Sequence, residues 1–161
     1  HREDAQAFRT AIHESVHVIN AGQFGGIPRW LNEGLAEYFE SSEFLETVEL
    51  NTRYESIINN NTRNKSNMVF VDDKAHLSMG LVELLVSEQD WQGQMQDVLY
   101  QHSHSFVRFL FQHKNGKQLL RRLFVHLSTQ RCGTKNVDEI LASYPGGISQ
   151  LNRDWLGWRQ Q

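Results

Sequence analysis

Apolar residues recur at spacings of three and four near the start of the chain. Ala5, Phe8, Ile12, Val16 and Ile19 fall on one side of a helical wheel, which predicts an amphipathic helix from about Glu3 to Asn20. The next stretch, AGQFGGIP, holds three glycines and a proline and should end that helix and turn the chain. RWLNEGLAEYFE then reads as a second helix, with Pro28 at or just before its first turn, where the missing amide hydrogen has no partner to lose. From Val48 to Lys74 the pattern fades: NNNTRNKSN reads as a polar surface loop, and TVEL and MVFV are the best strand candidates. Helical periodicity resumes in LSMGLVELLVSEQDW. It continues through MQDVLYQHSHSFVRFLFQHK as a long helix closed by Asn115 and Gly116. KQLLRRLFVHLSTQ is a further amphipathic helix with a basic, solvated face, stopped near Gly133. VDEILASY, a break at PGG and a last helix, ISQLNRDWLGWRQ, complete the chain. The expected fold class is mainly α, with at most short strands.

Composition narrows the reading. A chain of 161 residues, 39% hydrophobic and 11% aromatic, can bury a core as one domain spanning 1–161, and it shows no repeats and no linker. A net charge of −3 and a pI near 6.2 offer no general attraction to phosphate backbones, so nucleic acid is not an expected partner. The single cysteine, Cys132, excludes an internal disulfide and a thiolate zinc site, leaving nitrogen and oxygen donors for any metal. No apolar run is long enough to span a membrane. The chain starts at His1, already in helical sequence, and so reads as a fragment of a longer or processed protein.

The candidate chemistry lies in AIHESVHVIN. On a helix, His13 and His17 are one turn apart on one face and can reach a single ion. Glu14 projects about 100° around the axis, where it can serve as general base toward a water held at that ion. A catalytic zinc requires three protein ligands and one open position. The third is supplied by Glu33, 16 positions after His17 on the next predicted helix, which the glycine-rich turn can fold back. Glu37 is on the same face one turn on and is the candidate carboxylate for a ligand histidine's other ring nitrogen. His102 and His104, two apart, cannot form a simple helical chelate. His113 and His126 read as surface or structural, His76 falls in or near a loop with its role left open, and Trp91, Trp155 and Trp158 read as residues that fill the core.

HESVH followed by NEGLAE resembles the gluzincin, or thermolysin-like, zinc metallopeptidases, and the wider chain resembles a branch of small bacterial peptidase-like domains. The metzincin pattern does not fit, because Asn20 and Gln23 stand where its glycine and third histidine belong. The resemblance implies a zincin-like helical catalytic subdomain, with an active-site helix, a helix bearing the glutamate ligand and a helical C-terminal part. It implies Zn2+ held by His13, His17 and Glu33, Glu14 as general base, and Glu37 as the outer carboxylate, a position more commonly aspartate in that group. Such enzymes add a tyrosine or histidine that steadies the oxyanion, and Tyr100 and His104, four apart on one predicted helix, are the candidates, Tyr100 first. The resemblance implies a peptide or protein substrate and, on that ground alone, an exported or periplasmic location, which the residues themselves leave open.

In the family, the active-site helix follows a β-sheet whose edge strand holds the substrate. Almost nothing precedes that helix here, so the upstream sheet is expected to be missing from this chain. That gap supports an alternative from another class, an inactive peptidase-like module that binds zinc or a polypeptide. A third reading is a helical interaction domain whose motifs are fortuitous.

Overall fold

A computed structural model of the chain describes residues 2–41, 80–81, 91, 96–130 and 136–160, with the backbone alone for 2–5. Among the described residues there are six helices and no strand: α1 (Arg2–Phe24), α2 (Arg29–Glu40), α3 (Gln96–Gln112), α4 (Lys114–Thr129), α5 (Asp138–Ala142) and α6 (Gly147–Trp158). The mainly helical class expected from periodicity is thus the observed one. TVEL, MVFV, the polar loop, His76, Cys132, Gly133 and most of LSMGLVELLVSEQDW lie outside the described residues. No described helix is long and apolar enough to cross a membrane.

α1 runs one turn beyond the predicted end at Asn20. Gly22 lowers helix propensity without breaking the helix, and Phe24 holds the added turn by stacking on Phe124 of α4, with centroids 5.5 Å apart. The stop comes at Gly25, whose amide still donates to the Ala21 carbonyl at 2.9 Å and whose φ of 71° turns the chain that follows out of the helix. The apolar face also differs from the expected one. Val16 and Asn20 are buried, Phe8 and Ile12 partly so, while Ile19 is 59% exposed and Val18 72%. The covered stripe therefore advances by four residues at a time, and Ile19 points to solvent.

α2 lies between α1 and α3 and packs on both. Pro28 occupies its N-cap position, and the Pro28 carbonyl accepts from the Leu31 and Asn32 amides at 3.0 Å each. Toward α3, α2 sends Trp30 onto Phe106 (5.2 Å) and Tyr38 onto Phe111, stacked at 4.4 Å. Between them sits Gly34, where a Cβ would lie 2.6 Å from the Ser103 carbonyl oxygen and 2.7 Å from Val107 Cγ2.

The predicted stop at Asn115 and Gly116 is not where α3 ends. The break is at His113, which is extended (φ −76°, ψ 138°), and Asn115 and Gly116 belong to the first turn of α4. A Cβ on Gly116 would meet the Phe109 carbonyl at 2.8 Å and Leu110 Cα at 2.9 Å, so this glycine serves the close corner between the two helices. α6 closes the core from the other side. Trp155 is fully buried, lies 5.2 Å from Phe106 and donates its indole N–H to Ser105 Oγ at 3.3 Å. Each such large buried side chain contributes about 1.5–3 kcal/mol by leaving water.

Candidate metal centre

α1 and α2 run antiparallel, as their contacts show in order: Asn20 with Asn32, His17 with Glu33, His13 with Glu40. The Asn20 amide donates to Asn32 Oδ1 at 2.9 Å, and Asn20 is 5% exposed. This bond pins the two helices beside the motif residues and fixes the register that sets His17 opposite Glu33.

His13 and His17 stand edge to face with centroids 4.7 Å apart. Glu33 Oε2 lies 3.6 Å from His13 Nε2 and 3.5 Å from His17 Nε2. A tetrahedron of ligand atoms about 2.0–2.2 Å from zinc has edges of about 3.3–3.6 Å. The three donor atoms all lie within 4.8 Å of one another, and the two carboxylate distances match that edge. Two neutral imidazoles and one carboxylate form a donor set suited to zinc. The side chains are 17%, 24% and 12% exposed, enough to leave an approach from solvent.

Behind His13 is a second carboxylate layer. His13 Nδ1 is 3.2 Å from Glu40 Oε2, and Glu37 offers an oxygen within 4.8 Å of the same pair. Burial pushes the Glu37 carboxyl above its ordinary pKa, and its neighbours Glu40 and Glu33 add to that while His13 opposes it. The His17 ring has no such support: its Nδ1 is buried without a hydrogen-bond partner among the described residues.

Glu14 is exposed on α1. Tyr100 and His104 both lie on α3. The Tyr100 ring meets Trp91 edge to face at 5.2 Å, and Trp91 also carries the Arg29 guanidinium over its face at 5.1 Å. His102 is buried, with Nδ1 2.8 Å from the Val98 carbonyl, and His126 Nε2 lies 3.1 Å from the Asn136 carbonyl.

Sequence reasoning missed two contributors. Glu40 was legible as the i+7 member of the Glu33, Glu37 face, and Asn20 as the polar residue that continues the buried Phe8, Ile12, Val16 stripe.

These features define a mainly helical domain with a His/His/Glu cluster able to hold a metal ion. Residues 7–131 match the family described as "Protein of unknown function (DUF1570)", and the chain belongs to that family. The matched stretch includes the whole cluster and ends before α5 and α6. No curated protein and no solved structure matches the chain.

Proposed function

We propose that this domain is a gluzincin-type zinc peptidase that hydrolyses peptide bonds in a peptide or protein substrate. The observation that carries the reading is the convergence of His13 Nε2, His17 Nε2 and Glu33 Oε2, with edges of 3.5 and 3.6 Å, in a sequence frame of HESVH and NEGLAE. Bound there, zinc would polarise the scissile carbonyl and lower the pKa of water at the site. His13 and His17 would hold it as neutral imidazoles, and the Glu33 carboxylate would offset one of its two charges. Glu14, exposed beside His13, accepts a proton from the attacking water and returns it to the leaving amine nitrogen.

In a second reading the same residues bind zinc or a polypeptide without turnover. Glu14→Gln separates the two. Zinc content should stay at the wild-type level while cleavage of a peptide library falls by on the order of 10²-fold or more, since the amide cannot take the water's proton. Cleavage by the variant at the wild-type rate would remove Glu14 from its role. No cleavage by a zinc-loaded wild type would favour the binding module.

A further inference from the structure

We propose that Glu40, and not the motif residue Glu37, is the carboxylate that fixes the tautomer and orientation of His13 for metal binding. This rests on the reading of His13 as a ligand. A neutral imidazole has one N–H and one lone pair, so a ligating nitrogen requires the proton to sit on the other. His13 turns Nε2 toward Glu33 and Nδ1 toward Glu40 Oε2, 3.2 Å away. An acceptor at that distance holds the proton on Nδ1 and leaves the Nε2 lone pair free.

Helix geometry explains why Glu40 is the residue that reaches. Seven residues on from Glu33, the chain has turned 700° and returned to within about 20° of the starting direction, about 10.5 Å further along the axis. Glu37 is about 40° off that line and about 6 Å along. With α1 antiparallel and pinned at Asn20–Asn32, His13 lies opposite the last turn of α2, where Glu40 is. Glu37 and Glu40 both fall in that last turn, which has no basic residue. Carboxylates at the negative end of a helix dipole are locally disfavoured. A broken local rule of this kind is expected where a site requires the charge, and His13 supplies the requirement for Glu40.

The test uses the 161-residue chain and two readouts, zinc affinity by competition with a chromophoric chelator and the His13 tautomer by 15N NMR of the metal-free protein. Glu40→Ala should weaken zinc binding roughly 10- to 100-fold and move His13 away from the Nδ1–H tautomer. Glu37→Ala should leave both close to wild type. Glu40→Gln keeps a carbonyl acceptor and should fall between, which covers the case in which the alanine variant loses helicity by far-UV circular dichroism. A Glu40→Ala protein with wild-type affinity and tautomer would overturn the assignment, as would the same losses in Glu37→Ala. A wild-type chain that binds no zinc would instead overturn the metal reading itself, and the role of Glu40 with it.

Discussion

Gly34→Ala puts the helix interface that carries Glu33 under direct test. In an isolated helix this change stabilises by about 1 kcal/mol, because alanine loses less backbone freedom than glycine. In this fold the new methyl would sit 2.6 Å from the Ser103 carbonyl oxygen, 2.7 Å from Val107 Cγ2 and 2.9 Å from the Ser103 carbonyl carbon. Carbon contacts are comfortable at about 3.5–4.0 Å. Two of the three atoms are backbone of α3 and cannot rotate away, so α2 and α3 must part by several tenths of an ångström. Overpacking of this kind costs about 1–3 kcal/mol, and rigid backbone neighbours place the site at the upper end. The net is about 2 kcal/mol of destabilisation, or a fall in Tm of roughly 4–8 °C for a chain of this size. The assay is thermal unfolding followed by circular dichroism in excess chelator, so that metal does not contribute. Gly22→Ala is the matched control: it lies in α1 with no atom within 4 Å of the added methyl, and it should raise stability by about 0.5–1 kcal/mol. A Gly34→Ala protein melting at or above wild type would refute the close α2–α3 contact.

Asn20→Ala removes the buried donor to Asn32 and should cost about 1–3 kcal/mol, read from urea unfolding; an unchanged midpoint would mean the amide pair does not hold the two helices. Tyr144→Phe tests the α5–α6 corner, where the Tyr144 hydroxyl donates to Asp154 Oδ2 at 2.7 Å. That hydrogen bond is the main cause holding the Asp154 carboxyl below its ordinary pKa, with Gln150 helping and burial opposing. A folded-state pKa lowered in this way stabilises above the unfolded value of about 3.9, and the contribution is lost as pH falls through the folded value. The Tm gap between wild type and Tyr144→Phe should therefore be full at neutral pH and narrow below about pH 4. A gap that stays constant into acid would contradict the linkage.

Residues 29–40 show what the sequence made legible. Strong periodicity, a proline at the front and polar residues behind defined α2 to its observed ends, and HESVH with NEGLAE picked out the three converging donors. The misread features depend on tertiary contacts. Gly116 looks like a helix stop along the chain, but α4 tolerates it and its absent side chain makes room for Phe109 and Leu110. Ile19 fits an apolar stripe by spacing, yet α2 covers the adjacent stripe that ends in Asn20. Glu40 is visible in the sequence as the i+7 member of the Glu33 face, but not as a partner of His13. Its use is set by the antiparallel register of α1 on α2, which no local pattern encodes.

The metal centre is tested most directly by zinc K-edge X-ray absorption on the zinc-loaded chain. The zinc-loaded chain should hold one zinc with two imidazole nitrogens at about 2.0–2.1 Å and oxygen at about 2.0–2.2 Å, and His17→Ala should lose one imidazole. A first shell without imidazole scattering, or identical spectra for wild type, His13→Ala and His17→Ala, would contradict it.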